Sequence, residues 1–135
     1  MDKVLLDTSG LFALINLDDV HYKRSLEIFD SLIKRSAILV LPNFMLAECH
    51  AMINKRLGPA QAKEFLNAAL RDFQIERVTV EDEWAAHAML QTVSHQKNLS
   101  YFDAVAIALA ERLGIREIFS FDRHFPLMGL KLVSP

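Results

Sequence analysis

A chain of 135 residues that is 52% hydrophobic and 24% charged, with 4 Gly and 4 Pro, has the material for one folded domain and is neither disordered nor collagen-like. Its formal net charge of -2 provides no global attraction to a polyanion, so a nucleic-acid partner must be engaged by local groups or through bound cations. A lone cysteine, Cys49, excludes an internal disulfide; with no signal peptide or membrane-length apolar span, the expected setting is the reducing cytoplasm, with no membrane partner.

Lys3 to Leu6 reads as a short buried strand, because polar residues do not alternate through its apolar run. Asp7 falls at its carboxyl end, and Thr8 or Ser9 is expected to cap a helix over Gly10 to Asn16. Asp18 and Asp19 mark a loop. From His21 to Lys34 the residues Leu26, Phe29, Leu32 and Ile33 recur at helical spacing. Ala37 to Leu41 is a second apolar strand, and a helix from Phe44 to Leu57 follows until Gly58 and Pro59 stop it. The next helix, Ala60 to Arg71, is expected to turn Ala62, Phe65, Leu66, Ala69 and Leu70 inward.

Ile75 to Val80 reads as a strand. Glu81, Asp82 and Glu83 then open a helix as first-turn acids favoured by the macrodipole, with Trp84, Ala88, Met89 and Val93 on its buried side. Ser94 to Leu99 reads as a loop. Ser100, three residues before Asp103, predicts a capping box for a helix over Phe102 to Leu113 that Gly114 closes. Ile118 to Phe121 is a strand with Asp122 at its end, and Leu130 to Val133 is a short last one. The basic pairs Lys23-Arg24, Lys34-Arg35 and Lys55-Arg56 read as solvated helix faces. Short buried strands alternating with helices predict an α/β fold with a parallel sheet covered on both faces. Such sheets bind ligands beyond the carboxyl ends of their strands, where Asp7 and Asp122 fall.

Two further acids make similar demands. Glu48 shares a helical stripe with Phe44 and Met52, beside Met45 and Cys49, and is expected to point inward. Asp103 precedes the almost wholly apolar run Ala104 to Ala110. Singly, each acid has a structural explanation as a cap, a turn residue or a partner of a buried arginine. Jointly they do not, because two carboxylates 4 Å apart repel by about 4 kcal/mol at an effective dielectric of 20. A cluster of several needs protons or cations, and a divalent ion is the natural solution. An oxygen donor set of Asp7, Glu48, Asp103 and Asp122, with no zinc-spaced His or Cys cluster, favours Mg²⁺ or Mn²⁺. Such a site can orient water for in-line displacement at a phosphodiester. The hydroxyls of Thr8, Ser9 and Ser120 flank the acids and suit support of the ligands, or equally caps and turns. His124 is the one histidine near this site; Arg123 reads as a surface turn residue and Cys49 as a buried, inert thiol.

Asp7-Thr8-Ser9 after the first strand, Leu46-Ala47-Glu48, Ser100-Tyr101-Phe102-Asp103 and Phe119-Ser120-Phe121-Asp122-Arg123-His124-Phe125 resemble, in order and spacing, the PIN-domain ribonucleases, and among them the VapC-like toxins of toxin-antitoxin pairs. The resemblance covers nearly the whole chain. It implies a three-layer α/β/α fold with a parallel sheet of four or five strands, and a Mg²⁺- or Mn²⁺-dependent endoribonuclease. It also implies that Asp7, Glu48, Asp103 and Asp122 form the metal site, supported by Thr8 or Ser9 and by Ser120. The hydroxyl two residues before the last acid is commonly Thr in the family and is Ser here. A homodimer and a cognate antitoxin are further implications of the likeness. The alternatives are a PIN-like module that binds RNA or protein without cutting, and a solitary RNA-processing nuclease. A phosphatase of the haloacid dehalogenase type wants an acid where this chain has Ser9, and a receiver-like phosphoacceptor lacks its paired acids and lysine.

Overall fold

The computed structural model describes residues 2–92 and 98–135. The expectations for Val93 and for residues 94–97 of the loop lie outside the described residues.

Five strands form one all-parallel sheet in the order β3-β2-β1-β4-β5: β1 (Lys3–Leu6), β2 (Ile38–Pro42), β3 (Gln74–Glu76), β4 (Glu117–Phe119) and β5 (Lys131–Leu132). Strand β1 is central, and Val4, Leu5 and Leu6 are fully buried because helices cover both faces. Each crossover is helical: α1 (Thr8–Ile15) and α2 (Tyr22–Lys34) before β2, then α3 (Asn43–Arg56) and α4 (Pro59–Asp72) before β3. Helices α5 (Val80–Thr92) and α6 (Tyr101–Leu113) lead to β4, and α7 (His124–Leu127) to β5. The first two crossovers step one way across the sheet and the third steps back past β1. Right-handed connection therefore sends α1 to α4 to one face and the pair α5 and α6 to the other. In keeping with this, α1 packs against both α2 and α3, and α5 against α6. The strand order reverses between β1 and β4, and in sheets of this kind the ligand crevice lies there, at the carboxyl ends of the strands.

Two local features bring the layers close enough to form that crevice. Helix α6 is buried without interruption from Ala104 to Ala110, and its four alanines let it approach the sheet closely. It starts at the expected capping box, in which Asp103 N donates to Ser100 Oγ at 3.1 Å, and ends at Gly114 in the left-handed conformation (φ 70°). On the other face, a Cβ on Gly10 would sit 2.6 Å from the carbonyl oxygen of Phe119. Only glycine lets α1 lie this tightly against the end of β4.

Several expected boundaries shift for physical reasons. The strand predicted over Ile75 to Val80 stops at Glu76, because Thr79 and Asp82 cap α5: Thr79 N donates to Asp82 Oδ2 at 3.0 Å and Asp82 N to Thr79 Oγ1 at 3.1 Å. Asp82 is more than a first-turn acid. It is buried and takes two hydrogen bonds of 2.9 Å from the Arg112 guanidinium, which also reaches Glu76 at 3.3 Å and so ties α5 to α6 and β3. With Asp82 and Ala86 facing inward, Trp84 turns out to solvent at 67% exposure and Ala88 is exposed as well. In α2 the buried stripe is Ser25, Ile28 and Leu32, leaving Leu26 and Ile33 exposed, and in α4 Leu70 is exposed. An apolar groove of about 470 Å³ runs along Leu14, Phe29, Ile33 and Phe65 between α1, α2 and α4. No helix of the described residues is long and apolar enough to cross a membrane.

Two outcomes test this packing. Gly10→Ala should lower unfolding stability in urea by about 1–3 kcal/mol, since the clash is with backbone that cannot rotate away. Burial pushes the Asp82 carboxyl up, but the Arg112 guanidinium and Thr79 outweigh it and hold it below its ordinary 3.8. The unfolded chain therefore binds this proton more readily, so the contribution of Asp82 is complete above pH 3.8 and is lost as pH falls through its lower folded value. Urea unfolding at descending pH should show a shallower acid loss for Asp82→Asn than for the wild type.

Candidate metal centre

Asp7 occupies the first position after β1, where its own N–H still pairs with the Phe119 carbonyl of β4 at 3.1 Å and its C=O accepts from Leu11 N to start α1. Its side chain is 6% exposed and caps nothing. The helix begins at Thr8, so the predicted capping by Thr8 or Ser9 is replaced by a different use of the hydroxyls. Ser9 Oγ donates to Asp7 Oδ2 at 2.9 Å, and Ser120 Oγ donates to the same oxygen at 2.7 Å. Each hydroxyl in turn accepts a backbone N–H, Ser9 from Phe121 at 3.0 Å and Ser120 from Asp122 at 3.0 Å. Both hydroxyl protons are then committed to Asp7, and the 3.1 Å approach of Ser9 Oγ to Ser120 Oγ carries no third proton. Two short relays thus run from the turn after β4 into one carboxylate oxygen at the end of β1. Thr8 Oγ1, by contrast, is buried without a hydrogen-bond partner.

The electrostatics are opposed. Burial raises the Asp7 carboxyl above its ordinary 3.8; Ser120, Ser9 and the Thr8 amide pull it back, and the nearby Asp122 charge raises it again. A buried carboxylate that three donors already serve, and that another carboxylate repels, is suited to a cation. Burial, followed by the charges of Glu48 and Asp7, pushes the Cys49 thiol up to about 12, so it stays protonated and inert as expected from the sequence.

Asp103, Asp122 and His124 each offer one ligand atom, and these atoms lie within 4.8 Å of one another. All three are half-buried at the mouth of the crevice. Asp103 is held as the third residue of α6 by its capping box, and Asp122 by the hydrogen bond from His124 N at 2.9 Å. Asp7 and Glu48 stand outside that tight group. The inward orientation expected for Glu48 does not hold: α3 buries the neighbouring stripe Met45, Cys49 and Ile53, and Glu48 is exposed. A stripe displaced by one position rotates a helix by about 100°, which is the whole difference between the two readings. Glu48 nonetheless lies close enough to act on the Cys49 thiol together with Asp7. His124 joins the acids because α7 begins two residues after Asp122, a contact that sequence proximity alone left open. Unforeseen in the sequence, the His21 ring stacks on Phe121 with centroids 4.2 Å apart and planes 6° from parallel, pinning the start of α2 to the turn after β4.

The donor set fits a divalent ion: carboxylates with one imidazole, gathered at the switch point, beside a desolvated carboxylate that has no cationic partner among the described residues. The chain is 28% identical over 136 residues to the 23S rRNA-specific endonuclease VapC20 of Mycobacterium tuberculosis, covering 98% of each chain. The crystal structure of that protein, described as a sarcin-ricin loop cleaving toxin, superposes with a TM-score of 0.84 over 98% of this chain and 99% of that one, at 27% identity. A VapC ribonuclease of Archaeoglobus fulgidus is 26% identical over 126 residues, covering 91% of this chain and 79% of its own. The structure of VapBC2 from Rickettsia felis bound to a DNA fragment from their promoter shares the fold, with a TM-score of 0.73 at 17% identity over 96% of each chain. The PIN domain model matches residues 4–130, nearly the full length, and the chain belongs to the PIN-domain family.

Proposed function

We propose that this chain is a single-domain, divalent-metal-dependent endoribonuclease of the VapC type, acting as the toxin of a toxin-antitoxin pair. The observation that carries the reading is the convergence of Asp7 and its two serine relays with the group Asp103, Asp122 and His124 at the switch point of a PIN-domain sheet.

Asp7, Asp103 and Asp122 are proposed to hold the ion, with Glu48 completing the acidic set from the solvent side of α3. Mg²⁺ or Mn²⁺ suits these oxygen ligands. When bound, the ion supplies Lewis-acid polarisation of the scissile phosphate and activation of water. The protein's own contribution is to keep the ligands still. Ser9 and Ser120 fix Asp7 Oδ2, and because each is itself anchored by a backbone N–H, neither can rotate without breaking two hydrogen bonds. The low exposure of Asp7 excludes bulk water from one side of the site, and Asp103 is locked by its cap. Thr8, buried beside Asp7, is proposed as a supporting hydroxyl. With water as the nucleophile no protein nucleophile is required, and the nearby Cys49 thiol is held protonated.

The RNA is proposed to be a structured stem-loop, for which the ribosomal target named for VapC20 is the first candidate. A cognate antitoxin is proposed to dock on the chain, and the groove between α1, α2 and α4 offers apolar surface for it. Exposed Val80, Trp84 and Tyr101 offer surface for the homodimer. The cytoplasm is the proposed site of action.

Purified protein should cut a sarcin-ricin stem-loop RNA only with Mg²⁺ or Mn²⁺, and identically purified Asp7→Asn and Asp103→Asn should not cut it. Persistent cleavage by both variants would assign the activity to a contaminant; no cleavage of any structured RNA by the wild type would favour a silent binding module.

The same carboxylate makes an opposite prediction for stability without metal. Because Asp7 is raised above 3.8 in the folded state, folded protein holds this proton when the unfolded chain has lost it. Stability therefore falls as pH climbs from 3.8 through the raised value, and stays reduced at neutral pH. Asp7→Asn should accordingly melt higher than the wild type in chelator at pH 7. Mn²⁺ at 100 times its Kd should stabilise the wild type by roughly 2.7 kcal/mol and leave Asp7→Asn far less changed.

A further inference from the structure

We infer that His124 is a direct nitrogen ligand of the metal site and biases this chain toward Mn²⁺ over Mg²⁺; the inference rests on the metal-dependent reading proposed above. His124 is the first residue of α7, and its backbone N–H donates to Asp122 Oδ1 at 2.9 Å, which holds the His124 main chain against that carboxylate. Its Nδ1 also stands 2.9 Å from the same Oδ1. Despite that distance, Nδ1 is a buried atom with no aligned hydrogen bond. The pair has the separation of an ion pair without the direction of a hydrogen bond, and a proton shared between the two atoms would need that direction.

An imidazole nitrogen this close to a carboxylate oxygen, with no hydrogen bond joining them, leaves both atoms open to a cation between or beside the two. The spacing fits one that lies beside. Two neighbouring ligands at right angles, each about 2.1 Å from a single ion, are about 3.0 Å apart. The third donor, from Asp103, lies within 4.8 Å of both. Opposite ligands at that radius are separated by about 4.2 Å, so a closing movement of at most several tenths of an ångström completes the set. The other described histidines are engaged or distant: His21 stacks on Phe121, His87 packs against Trp84, and His50 lies on α3 outside the group. Replacing one hard oxygen by imidazole favours Mn²⁺, which accepts nitrogen donors more readily than Mg²⁺ does.

Electron spin echo spectroscopy of the full chain loaded with Mn²⁺ alone reads this directly. The wild type should show modulation from a directly bound ¹⁴N, and His124→Gln should lose it. In calorimetric titrations His124→Gln should bind Mn²⁺ at least about tenfold more weakly, with Mg²⁺ affinity much less affected. Bound Mn²⁺ with no ¹⁴N coupling in the wild type, or with the same coupling in His124→Gln, would overturn the role of His124 and leave the carboxylate site intact. Absence of Mn²⁺ binding altogether would overturn both. The wild-type spectrum decides the matter even if the variant fails to fold.

Discussion

The arrangement depends on one constraint: a carboxylate, Asp7, buried at the end of the central strand with two hydroxyls bonded to it and, among the described residues, no basic side chain in an ion pair with it. Its position is set by backbone pairing before any side chain acts, because Asp7 N completes the ladder between β1 and β4. Burial opposes the charge, and hydrogen bonds only partly relieve it. Such a group reduces the stability of the metal-free fold, yet the surrounding fold is built around it. Gly10 brings α1 up to the Phe119 carbonyl, and this proximity lets Ser9 bond both Asp7 and the Phe121 amide. A larger residue at position 10 would therefore disturb packing and site together.

The other acids reach the same place by separate routes. Asp103 is presented by a helix cap, so the residue that stops α6 from fraying also aims a carboxylate at the crevice. Asp122 lies in the turn that the Ser120 hydroxyl and the His124 amide hold closed. Elements far apart in the chain thus converge where the strand order reverses, and local hydrogen bonds determine which way each carboxylate faces. At the opposite end of the sheet the charges are conventional: Arg35 bridges Asp2 and Glu117 at 2.6 and 2.7 Å and ties α2 to β1 and β4. Among the described residues, charge is paired at that end of the sheet, while Asp7, Asp103 and Asp122 at the carboxyl end have no basic side chain bonded to them except the imidazole of His124 beside Asp122.

Much of this was legible in the residues. Apolar runs ending in Asp7 and near Asp122 located two strand ends, and the Ser100 to Asp103 spacing located the start of α6. The sequence was misleading where one position decides a helix face. Glu48 fell on an inward stripe only if α3 is rotated by one residue, and Trp84 looked buried until Asp82 took the inward place through Arg112, thirty positions away. No local pattern encodes such a pair. Nor does spacing disclose that Gly10 meets a β4 carbonyl, or that the His124 ring nitrogen turns to Asp122. Those facts arise from the tertiary approach of α1 and α7 to the sheet.

The central claim, that the fold holds Asp7 at an electrostatic disadvantage that a metal ion removes, is open to one direct measurement. The ¹³C chemical shift of its carboxyl, followed through a pH titration, should give a midpoint above 3.8 in metal-free protein and a fall in that midpoint when Mg²⁺ is added. A midpoint at or below 3.8, unchanged by Mg²⁺, would contradict the account.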